Sequence, residues 1–228
     1  MAERIRLEKT IVSENDRLAA ALAARFDEAG LLAVNLMSSP GAGKTTLLEA
    51  TARHLSADLR LAAVDGDLAT DRDAQRIQRA GMPCRQINTG GGCHLNGKQV
   101  AQAVKAFDLA RLDILFIENV GNLVCPASFD LGEHRRVVVS STPEGDDKPV
   151  KYPVAFRGAD VVVLNKIDLI PVTDFSLDAF REFVRDVVKR GVPLLELSCK
   201  TGEGLDAWFD WLRAQRAAVV AEAAGRRE

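Results

Sequence analysis

The chain has 228 residues, 47% of them hydrophobic and 27% charged, which suits one packed domain with terminal extensions. Its 30 basic and 32 acidic residues leave a formal charge of -2, excluding any general electrostatic basis for binding nucleic acid or an anionic membrane. No apolar run approaches the roughly 20 residues of a bilayer span and the N-terminal stretch "MAERIRLEKTIVSENDR" has no apolar signal core, so a cytoplasmic protein with neither nucleic acid nor membrane as partner is expected.

Residues 13–29 open with Ser13 and Asp16 as a capping-box pattern and set Leu18, Ala21, Leu22 and Phe26 on one face, predicting an amphipathic helix ended by Gly30. Apolar runs at 31–37, 59–65, 113–119, 135–141, 160–166 and 193–198 predict strands, and Cys84 heads a further one. Helical patterns cover 44–56, 71–80, 97–108, 176–190 and 204–222. Continuous rather than alternating apolar runs mark strands buried on both faces, so the fold class is α/β: a doubly wound, mostly parallel sheet. The expected organisation is a helical extension over 1–30, one nucleotide-binding domain over 31–216 and a helical or frayed tail over 217–228. The polar, proline-bearing stretch 141–153 reads as a mobile loop.

After the first strand comes "SSPGAGKTT", Ser38 to Thr46. A strand, a glycine-rich turn and a helix beginning at Lys44 make a nest of backbone N–H groups at a positive helix end, where phosphates bind. Gly41, Ala42 and Gly43 form the turn, Lys44 reaches the β and γ phosphates, the Thr45 hydroxyl ligates Mg²⁺, and Thr46 completes the cradle. Ser38 stands where the motif usually has glycine. "NKID", Asn165 to Asp168, ends a later strand. The Asp168 carboxylate can accept from guanine N1–H and its 2-amino group together; adenine lacks both donors and would leave the acid unpaired, so GTP is preferred over ATP. Asn165 is expected to brace the base edge, the Lys166 stem to cover the ring, and Ser198, Cys199 and Lys200 of "SCKTG" to add a backbone N–H toward guanine O6. Asp67 and Glu118 are the candidates for holding Mg²⁺, directly or through water, and for orienting the attacking water, with Gly121 offering its N–H to the γ-phosphate. Aspartates 71 and 73 read equally as a helix N-terminal cluster.

The four cysteines, Cys84, Cys93, Cys125 and Cys199, have no disulfide-framework spacing and read as free thiols or metal ligands. Cys93 and His94 follow three glycines in "NTGGGCHLNG", and Cys125 lies seven residues after Glu118. Thiolate and imidazole suit Zn²⁺, Ni²⁺ or Cu, and Pro126 is expected to hold Cys125 in an extended backbone. Three ligands leave a position for water or for another copy of the chain. On spacing alone the two cysteines read as well as small buried hydrophobes; glycine padding and the tie of Cys125 to a nucleotide loop favour ligands. Cys84 and Cys199 are expected to be non-ligands.

The succession "VNLMSSPGAGKTTLLE", "GDLATDRDAQRI", "CHLNG", "ENVGNLVCP", "TPEGDDKPVKYP", "NKIDLIP" and "KTGEGLDAW" covers nearly the whole chain and resembles the hydrogenase nickel-incorporation GTPases, the HypB family. The resemblance implies a P-loop GTPase of the SIMIBI type that hydrolyses GTP with Mg²⁺ and helps deliver nickel to the hydrogenase large subunit. It implies a homodimer binding Ni²⁺ or Zn²⁺ through Cys93, His94 and Cys125 at its interface, with a zinc-binding accessory maturation protein and the hydrogenase large-subunit precursor as partners. This chain carries neither the N-terminal cysteine motif nor the histidine-rich stretch of some members, and Asp65 stands where the family more often shows glutamate. The alternatives are a metallochaperone GTPase of the urease or mutase type, an ATP-dependent kinase or ATPase, and a non-catalytic metal-binding module.

Overall fold

A computed structural model describes residues 2–67 and 70–225, with side chains of the first helix from Glu14 onward. That helix, α1, spans Ala2–Ala29. Ser13 therefore lies inside it rather than capping it, because the preceding residues include Ala, Glu, Arg, Leu and Lys, good helix formers, and no Gly or Pro. Gly30, at φ 64°, ends α1 as expected, and the Leu31 N–H returns to the Phe26 carbonyl at 3.2 Å.

Seven strands follow among the described residues: β1 Leu32–Ser38, β2 Leu61–Asp67, β3 Cys84–Asn88, β4 Ile114–Glu118, β5 Arg135–Ser141, β6 Val161–Asn165 and β7 Leu194–Glu196. They form one sheet in the order β3-β2-β4-β1-β5-β6-β7, and every pairing is parallel. The helices are α2 Lys44–Leu55, α3 Arg72–Arg79, α4 Gly97–Ala103, α5 Lys148–Lys151, α6 Pro153–Arg157, α7 Leu177–Val187 and α8 Leu205–Gly225. The last runs through the expected tail to Gly225; residues 226–228 lie outside the described residues.

Alternate strand residues feed opposite cores. Leu32, Val34 and Leu36 of β1 pack with Leu47 and Leu48 of α2, Ile77 of α3 and Trp208 and Leu212 of α8. Ala33 faces Leu22 and Phe26 of α1 and Val100 of α4, while Met37 packs with Phe156 of α6 and Phe180 of α7. Burying each large apolar side chain contributes about 1.5–3 kcal/mol, and this two-sided burial selects continuous apolar strands. Trp208 also anchors α8 by donating from Nε1 to the Thr51 hydroxyl of α2 at 2.9 Å.

The stretch 141–153 is ordered rather than a loose loop. A 3₁₀ turn at Thr142–Glu144 leads into α5 and α6, each with proline at its start, where a missing N–H and a fixed φ suit a helix. The Thr142 hydroxyl donates to the Lys166 carbonyl at 2.7 Å and the Ser176 N–H to Asp146 at 3.0 Å, so both neighbouring segments hold it.

Candidate nucleotide and metal site

At the C-terminal ends of β1, β2 and β4 lies a cleft of about 410 Å³, lined by the turn after β1, the start of α2, Asp65 to Asp67, Asp73, Arg76, Glu118 to Gly121 and Lys166. Gly41 at φ 79° and Gly43 at φ 103° adopt left-handed backbone that lets the turn wrap. A Cβ on Gly43 would overlap the Asn165 amide nitrogen, so this glycine is also required for close approach. Ser38 explains its departure from the motif: its hydroxyl donates to the Ser39 carbonyl at 2.6 Å and accepts from Lys44 Nζ at 2.8 Å, holding the buried ammonium over the turn. Thr46 Oγ1 accepts from Arg76, which also pairs with Glu49 at 2.8 Å and Asp73 at 3.1 Å. Asp73 thus steers Arg76, and Asp71, although just before α3, caps no N–H and instead accepts from the Gln75 amide at 2.7 Å.

The acid beside Glu118 is Asp65. Parallel register pairs these two residues across β2 and β4. Both are buried; the Thr45 hydroxyl donates to Glu118 Oε1 at 2.8 Å, while Asp65 Oδ2 and Glu118 Oε2 have no hydrogen-bond partner among the described residues. Burial, reinforced by Glu118, pushes the Asp65 carboxyl up to about 8; burial likewise raises Glu118, opposed by Lys44. Asp67, two residues on, takes the Thr70 hydroxyl at 3.3 Å and bounds the mouth of the cleft. Gly121 presses on the phosphate turn: a Cβ there would stand 2.9 Å from Pro40 Cα.

On the base side, Asp168 Oδ1 accepts from the Ser198 hydroxyl at 2.6 Å, and that hydroxyl accepts from the Lys200 and Thr201 N–H groups at 3.2 Å each. Asn165, expected to brace the base edge, ties two loops together. Its Nδ2 donates to the Ala42 carbonyl at 2.9 Å, and its Oδ1 accepts from the Lys166 and Cys199 N–H groups at 2.8 and 3.1 Å. It is a buried strut fastening the phosphate turn to the base-side loop, with its oxygen and one amide hydrogen taken by backbone groups. Lys166, at φ 62°, lays its side chain across the turn and donates to the Gly41 carbonyl at 2.7 Å.

Cys93, His94 and Cys125 converge, with their ligating atoms all within 4.8 Å of one another. Cys93 Sγ is 3.5 Å from His94 Nδ1, and a hydrogen bond with Cys125 raises the Cys93 thiol. His94 stacks on Phe129 at 4.0 Å, and burial lowers its pKa, favouring the neutral imidazole that ligates metals. Cys125 is helical, φ -64° and ψ -47°, rather than extended; the residue before proline tolerates this here because its carbonyl accepts the Ser128 N–H of a 3₁₀ turn at 3.2 Å. Cys84 and Cys199 stand outside the cluster; burial raises both thiols, that of Cys199 to about 12.

The CobW/HypB/UreG nucleotide-binding domain model matches residues 32–192. The hydrogenase maturation factor HypB of Azotobacter vinelandii is 47% identical over 212 residues, 93% of this chain and 70% of the relative. The chain belongs to the HypB family of hydrogenase maturation factors. A crystal structure of HypB from Helicobacter pylori in complex with nickel superposes with a TM-score of 0.85 at 39% identity, covering 90% of this chain and 96% of that one. HypB from Archaeoglobus fulgidus superposes at 0.84 with 38% identity, covering 90% and 99%.

Three residues of this HypB-family site escape sequence reasoning in whole or in part, and a fourth, Lys148, is placed by the structure. Asp65 is set beside Glu118 only by register; Arg76 projects from α3 into the cleft; Lys148 reaches back to the phosphate turn, its Nζ donating to Ser39 Oγ at 3.2 Å; and Asn119 is buried between the two centres. The local signal, a polar residue inside an apolar run, exists for Asp65 and Asn119. No helix of the described residues is long and apolar enough to cross a membrane.

Proposed function

We propose that this chain is a GTP-hydrolysing metallochaperone that binds Ni²⁺, or Zn²⁺ in its place, and assists nickel insertion into the hydrogenase large subunit. The nucleotide motifs support a guanine preference, since Asp168 is held ready as an acceptor by Ser198. Gly41 to Thr46 would bind the phosphates, Lys44 carrying the charge opposite the β and γ groups. The buried orphan oxygens of Asp65 and Glu118, with the Thr45 hydroxyl between cleft and strand, are hard-oxygen donors that fit Mg²⁺, with Asp67 at the mouth of the same cleft. Mg²⁺ held there would neutralise charge on the nucleotide phosphates. Lys44 and the Gly121 N–H would orient and stabilise the γ-phosphate, while Glu118 and Asp67 order water near it.

The observation that carries the reading is that the cysteine-histidine cluster hangs on the same segment that lines the nucleotide cleft: Cys125 follows Glu118 to Gly121, and Leu95, next to His94, packs on Gly66. Nickel is cargo in this reading. Three ligands leave room for a fourth, which supports a homodimer with the cluster at its interface. A zinc-binding accessory maturation protein would be the source or helper, and the hydrogenase large-subunit precursor the recipient. The test is a pair of assays on purified protein: Lys44→Ala should lose GTP turnover, and Cys125→Ala should lose nickel binding while keeping GTP affinity. Full nickel affinity in Cys125→Ala would remove the metal assignment; unchanged turnover in Lys44→Ala would remove the GTPase.

A further inference from the structure

We propose that Asn119 and Asn122 are positioning residues that clamp the two halves of the cysteine-histidine cluster together and carry the state of the nucleotide to it. The inference rests on the proposed function and deepens it, because it names the side chains through which one site acts on the other.

The cluster is built from two loops distant in sequence, one bearing Cys93 and His94 and the other Cys125. Both asparagines belong to the second loop and bond across to the first. Asn119, buried at 1% exposure, accepts the Leu95 N–H at 3.1 Å and the Val120 N–H at 3.0 Å on one oxygen. Asn122 donates to the Cys93 carbonyl at 3.2 Å and accepts the Val124 N–H at 2.9 Å. Each side chain therefore holds a backbone group next to a ligand on the far loop and a backbone group of its own loop.

Between the two asparagines sits Gly121, and it has no slack. A Cβ there would meet Pro40 Cα at 2.9 Å, so Gly121 is in contact with the phosphate turn. Movement of Gly121 as phosphates arrive or leave must displace Asn119 on one side or Asn122 on the other. Behind Asn119 the route stops: its Nδ2 meets Asn35 Oδ1 at 3.4 Å, and Asn35 donates to the buried Glu133 at 3.0 Å, itself paired with Arg136 at 2.6 Å. A buried polar chain therefore backs Asn119, and the proposed displacement goes forward into the ligand loops. A third link, Asn15 of α1, accepts the Gly97 N–H and donates to the Asp130 carbonyl, each at 2.8 Å, but has no bond to the phosphate side. It steadies the loops without reading the nucleotide.

The experiment measures Ni²⁺ affinity by chelator competition in two states, with GDP and with a non-hydrolysable GTP analogue, for the wild type, Asn122→Ala and Asn119→Leu. The wild-type affinities should differ about fivefold or more, the lower end of ordinary site-to-site coupling. In Asn122→Ala the ratio should fall to within about twofold of one, GTP affinity should stay at the wild-type value, and the thiolate-to-nickel charge-transfer absorption should persist because Cys93, His94 and Cys125 remain. Asn119→Leu should lose the ratio as well; if it does not fold, Asn122→Ala decides alone. A merely structural role would weaken nickel binding equally in both nucleotide states and keep the ratio, and that result would overturn the assignment. A wild-type ratio of one would overturn it too, and would show that the failure lies in nucleotide control itself.

Discussion

Asp65 provides the sharpest test of how the cleft is charged. Its carboxyl is buried at 2% exposure against Glu118, with one oxygen unpartnered, and stands near pH 8 instead of the ordinary 3.8. The unfolded chain therefore ionises this group first as pH rises. Below about pH 4 it is protonated in both states and exerts no pH-linked penalty; between about 4 and 8 the folded chain loses stability, because it must either hold a proton that the unfolded chain releases or bury the charge. A displacement from 3.8 to about 8 corresponds to a penalty on the order of 5 kcal/mol by pH 8, caused first by burial and then by the neighbouring Glu118. Asp65→Asn should remove most of it. Urea denaturation of nucleotide-free protein in EDTA at pH 5, 6.5 and 8 should show the variant gaining on the wild type as pH rises, by several kcal/mol at pH 8. Added Mg²⁺ with nucleotide should stabilise the wild type far more than the variant. A wild-type-minus-variant difference that is flat with pH would refute the burial and pairing argument.

Gly43→Ala places a Cβ on the Asn165 amide at a backbone φ of 103°, so it should destabilise the chain by about 1–3 kcal/mol and reduce GTP affinity at least about tenfold, read by denaturation and by fluorescent-nucleotide titration. Normal nucleotide binding with normal stability would contradict the strut role of Asn165. Nickel affinity should rise with pH between about 6 and 9, because Cys93 is held protonated by its hydrogen bond with Cys125 and the thiols must release protons on ligation, whereas His94 is already favoured neutral. Proton release measured in weak buffer during nickel titration should match that slope, and pH-independent affinity would mean that the thiols are not ligands.

Much of this chain is legible locally. The turn Gly41 to Gly43 demands left-handed backbone, the following Lys-Thr pair needs a helix start, and Asn165 to Asp168 ends an apolar strand, so motif and element coincide within a few residues. The soft-donor chemistry of Cys93, His94 and Cys125 likewise follows from residue type, and the doubly wound sheet follows from apolar runs without alternation. Register was not legible. Asp65 and Asp67 have the same parity along β2, so no periodicity separates them; the pairing of Leu61 with Ile114 puts Asp65 opposite Glu118 and leaves Asp67 beyond the end of β4. The amide of Asn165 was committed to Ala42 and Cys199 by packing between loops, and Cys125 took a helical backbone because a turn carbonyl found its N–H partner at Ser128. Sequence alone determined which chemical groups this protein has and which local turns they sit in. Tertiary structure decided which of them face one another, because strand neighbours and loop clamps join residues whose separation along the chain contains no information about their distance in space.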